Sequence, residues 1–278
     1  MIDLHTHSTF SDGSLSPEEL AALAAEAELS AVALTDHDTT DGVPRFLKAC
    51  EDLDIEGVPG VEISVDFKSG TMHMLGFFLD INNVALQAAL SNIRDGRERR
   101  NHRIVEKLCG LGMEIEWGEV AALADDSGRG VIGRPHIMQA MMNRGYVAGK
   151  DEAFDLWLGK GKPAYVDRFR LSPREGIECI RAAGGVPVLA HPFTLGLKFG
   201  KLRRCVGELV GYGLQGIEVY YSMHNDALRS QYTSLVEEFS LVATGGSDFH
   251  GDMNPSIKIG RGFGNVKVDD SVLEKLRS

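Results

Sequence analysis

The chain has 278 residues, 43% of them hydrophobic and 25% charged, with a formal net charge of −11. That composition suits an ordinary globular protein and argues against a broad nucleic-acid or membrane surface, which would be basic. Duplex DNA and a bilayer are therefore not expected partners, whereas a small anion in a local cationic pocket stays open.

Cys50, Cys109, Cys179 and Cys205 are scattered and form no CxxC pair. They read as reduced core thiols of a cytoplasmic protein. No basic stretch precedes an apolar run at the N-terminus, and no segment approaches 18 apolar residues. Neither a secretory signal nor a membrane span is expected.

In chain order, short β-branched runs alternate with helical patterns. IDL opens and SPEELAALAAEAEL follows, with Ser16 and Glu19 spaced as a capping box and Pro17 at the first helical position. AVALTDHD reads as a buried strand and VPRFLKACEDL as a helix. VEISVDF and HMLGFFLD are two runs in close succession. Residues from about 85 to 159 are helical throughout. Then come the helix SPREGIECIRAAGG, with Ser172 and Glu175 again at capping-box spacing, and the strands VPVLAH, GIEVYY and LVATGGSD. The helix NDALRSQYTSLVEEF lies between the last two. About seven strands with intervening helices predict an α/β barrel of mostly parallel strands. Residues 1–99 and 165–278 are assigned to that barrel. Residues 100–164 are assigned to an inserted all-helical domain that covers the substrate.

The histidines fall where such a barrel would gather them. His5 and His7 follow the first strand, His37 the second, His191 follows VPVLA and His250 follows LVATGGSD. His73 begins HMLGFF, so it meets the others only at a strand of opposite sense or at a bend. Glu62 and Asp248 join them. One histidine beside a strand is ordinarily a hydrogen-bonded structural residue. Six of them packed at one mouth would leave several ring nitrogens unsatisfied, at roughly 1–3 kcal/mol each. Metal ions remove that problem, and mixed imidazole–carboxylate donors leave the ion's identity open.

HTH at 5–7, TDHD at 35–38, GVE at 60–62, AHP at 190–192 and SDFH at 247–250 together resemble the PHP (polymerase and histidinol phosphatase) family. The likeness spans nearly the whole chain outside the helical stretch. It implies a distorted (β/α)7 barrel, related to the amidohydrolases, around a trinuclear metal centre. His5, His7, Glu62 and Asp248 would hold one ion. Glu62 would bridge to a second, held also by His73 and His191. Asp12, His37 and His250 would hold the third. Some relatives have histidine where this chain has Asp12, and the harder carboxylate favours manganese, with iron, zinc or magnesium as alternatives. Glu62, His191 and Asp248 are the residues nearest the chemistry, and His191 or a neighbouring acid is a candidate proton donor to the leaving group. Asp36 and Asp38 either accept from a histidine ring or cap a turn.

Three divalent ions, three carboxylates and a bridging hydroxide leave a charge of about +2, which suits a phosphate monoester and in-line attack by that hydroxide. Arg134 and His136, at the start of an apolar helix, are candidates to clamp a second phosphate. Tyr221, Ser222 and His224 follow a strand, where the ring could stack on a base and the other two bind phosphate. Ser8 could face the shared phosphate. Lys160, Lys162, Arg168 and Arg170 form a basic run, more ordinarily a solvated face. The chain also resembles the PHP subgroup of free-standing phosphoesterases with a helical insertion, and that resemblance implies action on nucleotides, foremost removal of the 3′-phosphate of a nucleoside 3′,5′-bisphosphate such as pAp. Alternatives are a 5′→3′ exoribonuclease on short RNA, a histidinol-phosphatase-like monoesterase, and an inactive PHP binding module.

Overall fold

Seven strands form one sheet in sequence order among the described residues: β1 (Ile2–Thr6), β2 (Ala31–Leu34), β3 (Glu56–Val65), β4 (Met72–Phe77), β5 (Val186–Leu189), β6 (Gly216–Tyr221) and β7 (Val242–Gly246). The computed structural model describes residues 1–126 and 132–278. β1 to β3 run parallel, as do β5 to β7, and β4 is antiparallel to both of its neighbours. The reversal follows from the short link between β3 and β4, which is long enough for a hairpin and too short for a crossover. It also places the first residues of β4 beside the carboxyl ends of the other strands.

The sheet nearly closes into a barrel. His7 N–H donates to Phe249 O at 3.0 Å and Asp248 N–H donates to His5 O at 2.9 Å, which joins the end of β1 to the segment after β7. Alternate side chains of β2 enter different cores. Val32 and Leu34 pack with Leu20, Val43 and Phe46 of the helices α1 (Pro17–Glu26) and α2 (Val43–Asp52). Ala31 and Ala33 pack with Leu4, Val58, Leu75 and Val188.

The helices start where their caps dictate. Ser16 accepts from Glu19 N–H and Glu19 reaches back to Ser16 N–H, so two backbone donors at the start of α1 are satisfied reciprocally. Ser172 and Glu175 do the same for α7 (Pro173–Ala182). The remaining helices are α3 (Val84–Gly110), α4 (Trp117–Asp126), α5 (Arg134–Asn143), α6 (Lys150–Ala153), α8 (Phe199–Tyr212), α9 (Asp226–Phe239) and α10 (Ser271–Arg277).

Two compact units are present: Met1–Ser91 with Leu171–Ser278, and Asn92–Arg170. The second has its own core, which includes Ile104, Leu108, Val120, Ile137, Met141 and Leu158. Its described residues contain no strand. The division falls at 91/92 and 170/171, against 99/100 and 164/165 from the sequence. α3 is one unbroken helix with no local sign of a boundary, and Val166 is buried in the second core.

Candidate metal centre

Glu62 in β3 is the middle of a ring of imidazoles. Its Oε2 lies 3.2 Å from His5 Nε2, 3.2 Å from His7 Nε2 and 3.1 Å from His37 Nδ1. Its Oε1 lies 2.7 Å from His73 Nδ1 and 2.9 Å from His191 Nε2. Asp248 Oδ1 stands 3.3 and 3.2 Å from the same Nε2 atoms of His5 and His7. His250 Nε2 is 3.2 Å from Asp12 Oδ1, and Asp12 Oδ2 is 3.8 Å from His37 Nε2. The ligand atoms form three groups, each within 4.8 Å: His5, His7, Glu62 and Asp248; His7, Asp12, His37 and His250; and His37, Glu62 and His73. His7 and His37 each belong to two groups, whereas the sequence placed each with one ion. His191 contacts Glu62 but stands outside the three sets.

The donors fit divalent ions. His7 Nε2, His37 Nδ1 and Asp12 Oδ1 are buried with no hydrogen-bond partner. Neighbouring donors on an ion at ~2.1 Å lie about 3 Å apart, which matches the N–O spacings around Glu62. Three rings are anchored from behind, so that the other nitrogen turns inward. His5 Nδ1 meets Glu218 Oε1 at 2.8 Å, His191 Nδ1 meets Thr194 Oγ1 at 3.1 Å, and His250 Nδ1 meets Asp248 O at 2.9 Å.

The electrostatics follow from this crowding. Burial alone would raise the Glu62 pKa, but His37, His73 and His5 outweigh it and hold the carboxyl well below its usual range. Asp248 is depressed against burial by His5, His250 and His7. His7 is raised to about 10: burial alone would lower it, but the carboxylates of Asp248 and Glu62, each 3.2 Å from Nε2, outweigh that. His37 goes down to about 4, mainly through burial.

Buried acids tie the ligand loops to the barrel. Asp3 accepts from Ser247 N–H, Ser247 Oγ–H, Gly260 N–H and His5 N–H. Asp36 accepts from Ser8 N–H at 2.8 Å, Ser8 Oγ–H at 2.6 Å and Ser11 Oγ–H at 2.5 Å. Asp38 accepts from Ser64 N–H and Oγ–H. His191, Asp248 and Asp38 all have positive φ, at 23°, 57° and 57°. That backbone region is sparsely used by residues other than glycine, and it tends to cluster at functional sites.

A family model described as the PHP domain matches residues 3–127. A 5′-3′ exoribonuclease of Haemophilus influenzae is 32% identical over 98% of this chain and 96% of its own length. A 3′,5′-nucleoside bisphosphate phosphatase of Chromobacterium violaceum is 33% identical over 90% of this chain and 87% of its own. The chain belongs to the PHP family. A candidate metal-dependent phosphoesterase of Bifidobacterium adolescentis has the same fold, with a TM-score of 0.84 and 30% identity over 99% of this chain and 94% of that structure.

Around this PHP centre, several residues named from sequence occupy supporting positions. The Ser8 hydroxyl is buried and committed to Asp36. Tyr221 is 5% exposed, and its hydroxyl donates to Asp248 Oδ2 at 2.8 Å. The ring packs against His191, Phe193 and His224, which leaves little open face for a base. Ser222 donates to Ser247 O, and His224 Nδ1 to Val219 O. In the second unit, Arg134 donates to Leu158 O and lies over the Phe154 ring, while His136 Nδ1 accepts from Gly133 N–H at the start of α5. Buried Arg100, close enough to Arg134, Arg168, Arg97 and Arg170 to feel their charge, makes this a cationic cluster; burial foremost and these neighbours next push its pKa down. Sequence reasoning passed over Asp3 and Glu218. The available signal was a carboxylate inside each of two apolar strands, which has to find donors there.

No described helix is long and apolar enough to cross a membrane.

Proposed function

We propose that this chain is a metal-dependent phosphoesterase that removes the 3′-phosphate of a nucleoside 3′,5′-bisphosphate. One observation carries the reading: a buried carboxylate, Glu62, shares five imidazole nitrogens, and three of the surrounding rings are anchored from behind with a nitrogen turned inward. Such a centre binds cations, and the cations then attract phosphate. His5, His7, Glu62 and Asp248 would hold one ion, with His73 and His191 beside Glu62 for a second and Asp12, His37 and His250 for a third. Manganese suits this mix of nitrogen and carboxylate donors. Divalent ions held there would supply Lewis acidity to the phosphoryl oxygens and make water acidic enough to react near neutral pH.

The protein's own groups do the rest. Glu62 and Asp248 give the fixed negative charge that keeps the ions in place. Tyr221 and Glu218 hold Asp248 and His5 in position. His191, with Nε2 toward Glu62 and Nδ1 on Thr194, is held as a donor to the second ion, so a neighbouring acid rather than this ring protonates the leaving oxygen. Arg134, next to His136 at the start of α5 and within the cationic cluster of the second unit, is the candidate there to bind phosphate. The Chromobacterium relative supports the bisphosphate substrate.

The Haemophilus relative favours a second reading, stepwise removal of nucleotides from short 5′-phosphorylated RNA. Manganese-loaded protein should be assayed on adenosine 3′,5′-bisphosphate, AMP, histidinol phosphate and an end-labelled 5′-phosphorylated oligonucleotide. The bisphosphate should be turned over with a kcat/KM well above that of either monoester. Equal rates on all three would remove the substrate assignment, and a one-nucleotide product ladder would move it to RNA. No turnover of any phosphoester by metal-loaded protein would leave the binding-module reading.

A further inference from the structure

Glu218 of β6 is fully buried, and two donors from distant strands converge on it. His5 Nδ1, on β1, lies 2.8 Å from Oε1. The backbone N–H of His191, after β5, donates to Oε2 at 2.7 Å. Both histidines turn Nε2 toward Glu62, at 3.2 and 2.9 Å. His191 has φ 23° and ψ 69°, a conformation that persists only where the surroundings hold it. An ionised carboxylate is acceptor-only, so one side chain serves both donors.

We infer that Glu218 is a positioning residue that sets two metal donors at once. It keeps the proton on His5 Nδ1, which leaves Nε2 as the donor atom, and it braces the strained turn that aims His191. It touches neither substrate nor ion. Two parts of the centre that arise from opposite halves of the barrel are therefore coupled through one carboxylate.

The Glu218→Gln substitution separates this role from simple packing. It keeps size and shape, but an amide offers one acceptor and one NH2 group. If its oxygen serves His191 N–H, the NH2 faces His5 Nδ1 and favours the other tautomer, which takes Nε2 away from the metal. If its oxygen serves His5, the NH2 opposes His191 N–H.

This inference rests on the reading of the centre as a metal site, so wild-type zinc binding is measured first; failure there counts against that reading. E218Q is then expected to bind zinc 10- to 100-fold more weakly by chelator competition, about the loss typical when such an outer partner is removed. The ¹⁵N resonances of the His5 ring in the zinc-loaded protein should shift as well. Unchanged affinity and an unchanged His5 signal would overturn the role. If E218Q does not fold, Glu218→Asp keeps the charge and both acceptors but withdraws them by one methylene. It should weaken zinc binding while metal-free melting stays cooperative, at a lower temperature that reflects the two lengthened hydrogen bonds. Wild-type zinc affinity in E218D would equally overturn the inference.

Discussion

Tyr221 donates its hydroxyl hydrogen to Asp248 Oδ2, and the other oxygen of Asp248 is shared between His5 and His7. One phenol therefore orients a carboxylate that sits between two rings. Tyr221→Phe removes that donor and little volume. The metal-free fold should lose about 1.5–3 kcal/mol, because one hydrogen bond to a charged carboxylate is lost. Metal affinity should fall by roughly 10-fold. Thermal melts with metal titrations will separate the two, and a fall in stability with intact affinity would count against the orienting role.

Removal of metal should abolish turnover and lower the melting temperature. An ion present at 100 times its dissociation constant stabilises by about 2.7 kcal/mol, or roughly 5–10 °C for a chain of this size. Extensive chelation followed by calorimetry, then re-addition of manganese, zinc or magnesium, checks both effects. The ion that restores most activity at the lowest concentration identifies the functional metal.

Protons and metal compete for the same rings. His7 has its metal-free pKa raised from 6.5 to about 10. Its contribution to stability is complete below pH 6.5 and is lost as pH rises towards 10. His37, lowered to about 4, acts in the opposite sense and costs stability as pH falls from 6.5 towards 4. The metal-free protein should therefore melt highest near pH 6.5. Metal uptake must displace the His7 proton, so affinity should rise from pH 6 to pH 8 with release of protons to buffer. Calorimetry in two buffers of different ionisation enthalpy reads this directly; no proton release would show that His7 is neutral in the metal-free state.

Arg134 is placed against Leu158 O and the Phe154 ring, within a cluster of cationic side chains. In Arg134→Ala, kcat/KM on the bisphosphate should drop by about 10²-fold or more, as for a lost charge-assisted phosphate contact of about 3 kcal/mol. Hydrolysis of a simple monoester should drop far less. Equal losses on both substrates would mean that the residue acts on folding rather than on a second phosphate.

Gly246, the last residue of β7, faces the backbone of β1. A Cβ placed there would collide with His5 N and Cβ and come within 2.9 Å of Asp3 Oδ1. Gly246→Ala should destabilise the barrel by about 3 kcal/mol or prevent its closure. Denaturant melts of metal-free protein test this away from any effect of ion binding.

Much of the scaffold was legible from local pattern. The capping boxes at Ser16 and Ser172 form as their spacing predicts. His73 was out of step with the other histidines, and the reversal of β4 brings it to the same end. What stayed hidden depends on distances across the barrel. GIEVYY contains Glu218 and Tyr221 three residues apart, on opposite faces of a regular strand, and nothing in six residues announces the irregularity between Glu218 and Tyr220 that accompanies the first meeting His5 and the second meeting Asp248. The same holds for Asp36, which flanks His37 in sequence but binds Ser8 and Ser11 in space. Unit boundaries were displaced because α3 runs through one of them as a regular helix.

The hydrogen bonds His7 N–H to Phe249 O and Asp248 N–H to His5 O also fix an order of events during synthesis. His5 and His7 leave the ribosome before Asp248 and His250. A nascent chain that lacks β7 has neither the seam nor the complete ligand set. Contacts of such long sequence separation form slowly, after local structure. Added metal is therefore expected to slow unfolding of the finished barrel without speeding the early phases of its assembly, which stopped-flow folding with and without metal would check.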